Sequence, residues 1–285
     1  MLSSPPSCCT EHLSPCNHEE ADTRMLVHVA DAARAKHKRI AIRTVDTDVV
    51  VICIGSFHLL PQIELWVIFG SGENVRSYSI HDISHALGPE KSRSLPLFHA
   101  ITGCDTVSCF SRKGKKTAWS TWMLFNDVTM AFMELSKQPA SISDETLKKL
   151  ERFVVLLYHR TSTKTSVNEA RKELFAQKAR SLDGIPPTQA ALKEHIKRAT
   201  YQGAYCWGQS TVPSMLLPSP GEWGWKESPE GWIPFWTTLP DVSNSCKALV
   251  KCGCKKGCRR NCSCQKAALM CTALCACGGN CSPDN

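Results

Sequence analysis

The sequence predicts an α/β body with a parallel sheet and a helical extension, followed by a small irregular domain. Three observations support this prediction. Short β-branched runs alternate with helical patterns in the first third of the chain, helical patterns alone follow them, and nine of the 17 cysteines lie between Cys252 and Cys281. Strands that alternate with helices favour a parallel sheet. A chain of 285 residues has room for one large domain or two smaller ones.

The elements of the body are predicted from the spacing of apolar residues. Residues 1–17 are rich in Ser, Pro and Cys, and we expect a disordered tail there. Apolar residues at helical spacing predict a first helix over 19–36. Alternating apolar residues predict strands over 39–46, 63–70 and 75–80, whereas the run 49–55 fits a strand or a buried helix. Further helices are predicted over 81–88, 91–102, 116–136, 145–160, 167–180 and 188–207.

Composition divides the rest of the chain. The body is expected to span 18–205, and a Trp/Pro-rich linker is expected over 206–245. Trp indoles could form a peptide-binding or base-stacking face, but we favour a segment that wraps the body and buries them. The indoles in question are those of Trp223, Trp225, Trp232 and Trp236.

The distribution of cysteines and the N-terminal sequence exclude several classes of protein. No run of 18 apolar residues exists, so no membrane span or membrane partner is expected. The N-terminus lacks the basic and apolar regions of a signal peptide. A small secreted disulfide scaffold would be rich in cysteine throughout, whereas here the cysteines concentrate at one end. We therefore expect a metal-binding segment in a reducing, intracellular compartment, with a disulfide cluster as the alternative.

Positive charge is concentrated in the same segment. Residues 246–285 contain seven Lys and Arg against Asp284 alone, a net charge of +6, whereas the whole chain carries +8. This asymmetry favours an anionic partner, above all nucleic acid. The alternative is that the basic side chains only offset thiolate charge and keep the segment soluble.

The cysteines follow three successive units, each a C-x-C pair and a third cysteine. Nine thiolates can hold three tetrahedral zinc ions if three of them bridge, because three ions need about 12 Zn–S bonds. The segment has few apolar residues, so metal binding must supply most of its folding energy. The candidate ligands are Cys252, Cys254, Cys258, Cys262, Cys264, Cys271, Cys275, Cys277 and Cys281.

These residues resemble the tesmin-like CXC domain over about 246–285. The resemblance implies three zinc ions, a nuclear location and contact with DNA or chromatin. The family's DNA readers pair two such units and place a tyrosine before the fourth cysteine, where this chain has one unit and Asn261. Zinc binding is therefore a safer prediction than sequence-specific DNA reading. The basic residues expected to contact DNA here are Lys255, Lys256, Arg259 and Arg260.

Three short acidic motifs lie in the body: Glu19-Glu20-Ala21-Asp22, Asp46-Thr47-Asp48 and Gly103-Cys104-Asp105. Carboxylates that follow strands of an α/β sheet converge on one crevice. Their hard oxygen ligands suit Mg²⁺ or Mn²⁺, and two such ions can drive phosphodiester hydrolysis. Each motif alone is also what a helix cap or a turn requires.

The order of these motifs resembles the PIN-like core of flap-type 5′ nucleases over about 18–135. The resemblance implies that five carboxylates are the catalytic metal ligands and that lysines around Gly114 hold the DNA backbone. The carboxylates are Glu20, Asp22, Asp46, Asp48 and Asp105, and the lysines are Lys113, Lys115 and Lys116. A PIN-like body with a CXC segment is also similar to proteins spread by mobile elements in animal genomes.

The family's first strand and further metal-binding aspartates have no counterpart before Glu20. We therefore expect an N-terminally incomplete PIN-like body that is inactive as a nuclease. The alternatives are an active, metal-dependent, structure-selective DNA endonuclease and a zinc-stapled protein-interaction module.

Other titratable residues give weaker patterns. His81 and His85 have metal-ligand spacing on a predicted helix, but no glutamate completes an HExxH motif, so these two and His99 are expected to be surface or capping residues. Cys104 and Cys109 flank Asp105 and are expected to be buried.

Overall fold

The computed structural model describes residues 13–176, 182–238, 251–254, 258, 262–266, 270–271 and 275–279. The chain divides into two units, Met1–Trp236 and Thr237–Asn285.

A small mixed sheet opens the first unit. Helix α1 (Ala21–Arg34) leads into β1 (Arg39–Thr44), and α2 (Thr47–Ser56) crosses over to β2 (Glu64–Phe69), which pairs with β1 in parallel. Strand β3 (Arg76–Ser79) pairs with β2 on its other edge, antiparallel. The connection from β2 to β3 is too short for the crossover that a parallel pair requires.

The turn between β2 and β3 depends on Gly70. Its φ is +99°, and a Cβ at this position would lie 2.6 Å from the carbonyl oxygen of Asn74. Glycine tolerates both conditions, since it has no Cβ and readily adopts positive φ.

The ambiguous apolar run at 49–55 forms α2, which is buried. Asp46 starts this helix, because its Oδ1 accepts a hydrogen bond of 2.8 Å from the backbone N–H of Asp48. Val49, Ile52 and Cys53 are buried in the core of the first unit. A capped, buried crossover helix is what a parallel pair of neighbouring strands needs.

Helices make up most of the remainder of the first unit. They are α3 (Ile80–Ile101), α4 (Lys115–Leu124), α5 (Val128–Leu135), α6 (Asp144–Tyr158), α7 (Val167–Ala176) and α8 (Gln189–Thr200). Helix α3 breaks at Gly88, so the two helices predicted over 81–102 meet at a kink. The helix predicted over 116–136 is interrupted between α4 and α5. Helix α8 continues into a π-helical segment, Tyr201–Cys206.

One apolar core holds these elements together. Leu26, Ile52, Leu65, Leu97 and Phe153 are fully buried in it. The ring of Phe98, on α3, stacks on the ring of Trp122, on α4, with ring centroids 4.7 Å apart.

The Trp/Pro-rich segment packs on the body as far as Trp236. Trp207 and Trp223 are buried, while Trp236 is 60% exposed. The segment ends in a hairpin of β4 (Trp225–Ser228) and β5 (Gly231–Pro234). Residues 206–236 therefore belong to the first unit, whereas 239–245 of the predicted linker lie outside the described residues.

The N-terminal end of the first unit contacts the same segment. Asn17 and Met215 exchange two hydrogen bonds, of 2.9 Å from Asn17 Nδ2 and 2.7 Å from the Met215 N–H. The His18 ring lies 2.6 Å from the carbonyl oxygen of Val212. Residues 1–12 of the predicted disordered tail lie outside the described residues.

The first unit is therefore a mixed α/β fold with small sheets. Of the parallel sheet expected from the PIN-like resemblance, the described residues contain only the β1–β2 pair. No helix among them combines the length and apolar composition that a membrane crossing requires.

Candidate metal centres

The second unit brings the predicted cysteine ligands together. Eight of the nine are described, and Cys281 lies outside the described residues. The backbone joins the first and third C-x-C pairs, because the N–H of Ala276 donates to the carbonyl oxygen of Cys252 at 2.9 Å. Four of the eight are buried, although few apolar side chains are available to cover them: Cys252, Cys262, Cys264 and Cys275.

The sulfur atoms form three groups of four, and within each group all atoms lie within 4.8 Å of one another. Cys252 belongs to all three groups, and Cys262 and Cys271 belong to two each. The groups are Cys252, Cys254, Cys258 and Cys262; Cys252, Cys262, Cys264 and Cys271; and Cys252, Cys271, Cys275 and Cys277.

The separations between sulfur atoms fit a tetrahedral metal site. Within the groups they include 3.5 Å for Cys252 and Cys258 and 4.0 Å for Cys262 and Cys271. The edge of a tetrahedron with Zn–S bonds of about 2.3 Å is about 3.8 Å, whereas a disulfide would need about 2.05 Å. The cysteine cluster could therefore hold a metal ion such as zinc.

The position of Cys262 lowers the pKa of its thiol, whereas burial raises the pKa of the neighbouring Cys264 thiol. Cys262 immediately precedes a single helical turn, Ser263–Lys266. A hydrogen bond from the backbone of Gln265 is the main cause that lowers the pKa of the Cys262 thiol to about 6. A lower thiol pKa favours the thiolate, which is the form that binds metal.

The acidic cluster lies in the first unit, at the starts of two helices and on one loop. Glu20 and Asp22 begin α1, Asp46 and Asp48 begin α2, and Asp105 is exposed between α3 and α4. Burial raises the pKa of Asp22 to about 6, and the negative charges of the other four contribute to the same shift. The other four predicted carboxylates therefore lie close enough for their charges to disfavour the ionised form of Asp22.

Three of these carboxylates already have partners in the protein. Besides Asp46, which caps α2, Glu20 accepts hydrogen bonds from Gln202 Nε2 at 3.0 and 3.1 Å and from Trp207 Nε1 at 3.2 Å. Oδ1 of Asp48 lies 2.8 Å from His99 Nε2. Within the described part of the chain, only cysteines bring three or more ligand atoms within 4.8 Å. The oxygens of these carboxylates are therefore less closely grouped than the sulfur atoms of the cysteine groups, although the charges of the other four act on Asp22.

His99 is a member of the site that sequence reasoning missed. The sequence predicts a surface or capping residue at this position, but His99 is 6% exposed and its ring is bonded to Asp48. The apolar residues Phe98, Ala100 and Ile101 beside it were the available signal that this stretch of helix is buried.

Of the lysines expected to hold DNA backbone, Lys115 has a structural task. Its Nζ donates to the carbonyl oxygens of His99, at 2.9 Å, and Gly103, and to Thr102 Oγ1 at 3.3 Å. These contacts satisfy the end of α3, and burial lowers the pKa of Lys115. Lys113 Nζ lies 5.1 Å from the centroid of the Tyr158 ring, and Lys116 is exposed.

Two further expectations have different outcomes. Cys109 is exposed rather than buried, and Cys104 is partly exposed, because both lie on the loop between α3 and α4. The predicted DNA contacts Lys255, Lys256, Arg259 and Arg260 lie outside the described residues.

A cavity of about 500 Å³ borders the acidic cluster. Glu19 and Glu20 line one side of it, and Tyr201, Trp225 and Trp232 also contribute to its wall. Two of the four indoles singled out in the sequence therefore share a cavity with a predicted metal ligand. Trp223 is buried beside Tyr205, with ring centroids 5.0 Å apart.

Comparisons with known proteins add no relative. No family model matches the chain. Neither the curated proteins nor the solved structures include a match.

Proposed function

We propose that the second unit is a CXC domain that folds around three zinc ions and attaches the protein to DNA or chromatin in the nucleus. The observation that carries this proposal is the set of three groups of four sulfur atoms, each with all its atoms within 4.8 Å of one another. Metal binding supplies the folding energy that this segment cannot obtain by apolar burial.

The overlap of the groups supports an assignment of ligands. Cys262 and Cys271, each in two groups, and Cys252, in all three, are the bridging thiolates. One ion takes Cys254 and Cys258 with the bridging Cys252 and Cys262. A second ion takes Cys275 and Cys277 with the bridging Cys252 and Cys271. The third takes Cys264 and two bridges, and Cys281 supplies its fourth bond. This arrangement gives the 12 Zn–S bonds that three tetrahedral ions need.

The charge of the segment supports nucleic acid as its partner. Nine thiolates and three Zn²⁺ ions sum to −3, while the segment carries six net positive charges before its thiols ionise. Basic side chains beyond those that offset the cluster are available for phosphates. The competing function is a zinc-stapled interface for another protein, which needs no phosphate contact.

Salt dependence separates these two functions. Duplex DNA binding by the full chain, measured by fluorescence anisotropy between 50 and 200 mM salt, is expected to weaken steeply, because each neutralised phosphate releases counterions. The variant with Lys255, Lys256, Arg259 and Arg260 all changed to Gln is expected to bind weakly with its zinc intact. Lys148→Gln/Lys149→Gln, on α6, is the matched control. Undetectable or salt-insensitive DNA binding by the zinc-loaded protein would favour the protein interface.

For the first unit we propose a PIN-like, nuclease-related body that is inactive as a nuclease and serves mainly as a scaffold. The bonds of Glu20, Asp46 and Asp48 to protein groups support this, because they occupy oxygens that a two-metal site would use. An active endonuclease remains the second candidate. Its support is the raised pKa of Asp22, since a divalent cation would relieve the repulsion among these carboxylates.

Cleavage of flapped and single-stranded DNA with Mn²⁺ or Mg²⁺ tests the two candidates. Asp46→Asn/Asp48→Asn is the informative variant, because asparagine keeps the cap of α2 and removes the charge. Asp144→Asn, an exposed carboxylate at the start of α6, is the control. We expect no cleavage by the wild type. Cleavage that the double variant loses and the control keeps would establish the endonuclease.

A further inference from the structure

A second cavity of the first unit, of about 260 Å³, is lined by two arginines, hydroxyl groups and several apolar side chains. Residues from α7, α8 and the loop 108–111 form its wall, and two of them are Arg171 and Arg198. No Asp or Glu occurs among the described residues that line it. Its volume lies just below the range of about 300–1,000 Å³ typical of drug-sized ligands, which suits a small anion.

Arg198 is a buried cation with little neutralisation. The residue is 3% exposed, and its Nη1 donates to the carbonyl oxygens of Gly224, at 3.0 Å, and Phe235, at 2.6 Å. Carbonyl oxygens satisfy donors without cancelling charge. The carboxylate that acts on Arg198 is Glu194, which is itself bonded to Lys197 at 3.3 Å. The guanidinium also lies over the ring of Trp236, with Cζ 5.3 Å from the ring centroid.

Arg171 repeats this arrangement on α7. It is partly buried, its Nη1 donates to the carbonyl oxygen of Pro186, and burial lowers its pKa. Its bond to Pro186 is again to a neutral acceptor. Buried charges in proteins are normally paired. Two guanidinium groups line this cavity, and no carboxylate occurs among its described lining residues, so the cavity suits an anion.

Neutral groups complete the wall. His195 Nε2 donates to the carbonyl oxygen of Ile101 at 2.8 Å, and its Nδ1 faces Ser108 Oγ at 3.4 Å. Burial is the main cause that lowers the pKa of His195 to about 4, so it is neutral at pH 7. Tyr158 donates to the carbonyl oxygen of Ser111 at 3.3 Å. The hydroxyl groups of Ser108 and Ser111 can donate to a bound oxyanion.

We propose that this cavity binds a phosphate monoester group, held by the guanidinium groups of Arg171 and Arg198. The planar fork of arginine matches phosphate oxygens, and charge-assisted hydrogen bonds are the strongest available to it. The group can belong to the phosphorylated end of a nucleic-acid strand or to a small phosphorylated metabolite. The site requires neither the zinc cluster nor a metal at the acidic cluster, although the loop that forms part of its wall also carries Asp105.

Phosphate binding by the full chain tests the proposal. Line broadening of inorganic phosphate in ³¹P NMR is expected to be saturable and to weaken at least tenfold in Arg171→Gln, with Arg171→Lys intermediate. Arg152→Gln is the control, because Arg152, like Arg171, donates to backbone carbonyl oxygens, here of Ser162 and Lys164, but does not line the cavity. Circular dichroism checks that each variant is folded.

Competition identifies the source of the phosphate. Displacement of inorganic phosphate by a 5′- or 3′-phosphorylated oligonucleotide, but not by the same strand with hydroxyl ends, identifies a strand end. Displacement by a sugar phosphate alone identifies a metabolite. Absence of saturable phosphate binding by the wild type, equal binding by Arg171→Gln and Arg152→Gln, or equal displacement by the hydroxyl-ended strand would overturn the proposal.

Discussion

Nε2 of His99 lies 2.8 Å from Oδ1 of Asp48, and both side chains are largely buried, 8% and 14% exposed. The bond joins the last turn of α3 to the first turn of α2. It therefore fixes a predicted metal ligand to a helix that begins 32 residues later in the chain. The bond also satisfies the Asp48 carboxylate without a metal ion.

We expect His99→Leu to destabilise the first unit. The substitution leaves a buried carboxylate without its partner, and such a loss costs about 1–3 kcal/mol. Urea unfolding followed by circular dichroism measures the effect. His28→Leu, at an exposed position of α1, should change the free energy of unfolding by less than about 0.5 kcal/mol. Equal stability of the two variants would contradict the buried bond.

The buried His195 should make the protein sensitive to acid. Its folded pKa is about 4 and its usual value is 6.5, so the unfolded chain binds the proton more readily between these values. The stability contributed by the neutral ring is present above pH 6.5 and falls as the pH drops toward 4, by about 2 kcal/mol at pH 5. His195→Gln, whose amide can still donate to Ile101, should show a flatter profile from pH 7 to 5. Parallel profiles for variant and wild type would contradict this assignment.

Removal of the Asp22 charge should stabilise the protein in buffer free of Mg²⁺ and Mn²⁺. Burial and four carboxylates raise its folded pKa to about 6, so above pH 6 the native state holds a repelled charge. Asp22→Asn is therefore expected to raise the melting temperature by a few degrees at pH 8 and to lose this advantage by pH 4, where Asp22 is protonated.

Added Mn²⁺ supplies the control for Asp22. If the cluster binds a cation, Mn²⁺ should raise the melting temperature of the wild type more than that of Asp22→Asn. An equal response of both proteins would show that the ion acts elsewhere.

Bridging and terminal cysteines should differ in the number of zinc ions that depend on them. Cys254 belongs to one four-sulfur group and Cys262 to two. In native mass spectrometry we expect three ions in the wild type, the loss of one in Cys254→Ser and the loss of more than one in Cys262→Ser. The same zinc count in both variants would rule out the shared role of Cys262.

The sequence allowed prediction of features that depend on local patterns. Apolar spacing predicted α1 and α6, and C-x-C spacing predicted a cluster of cysteines around Cys252 that could hold a metal ion, because each of these signals lies within a few residues of the feature. Asp46 and Asp48 lie where β1 ends and α2 begins, as expected for an α/β sheet, and their charges act on Asp22 together with those of Glu20 and Asp105.

Side-chain partners distant in the sequence could not be predicted in this way. The bonds of Lys115 to the end of α3 use a residue that reads as a surface cation, because only tertiary structure brings its Nζ to those carbonyl oxygens. Arg171 and Arg198 lie on separate helices, and no local spacing indicates that they line one cavity. The strand pattern alone did not predict that β3 runs antiparallel to β2. This direction depends on the short connection between the two strands.

The exchange of hydrogen bonds between Asn17 and Met215 joins positions 198 residues apart. The Asn17 N–H also donates to the carbonyl oxygen of Pro213, and Glu20 receives bonds from Gln202 and Trp207. The start of α1 and the segment 202–215 should therefore open together as one cooperative unit of hydrogen exchange. Amide protons at the two ends of the body are then protected, or released, at the same rate.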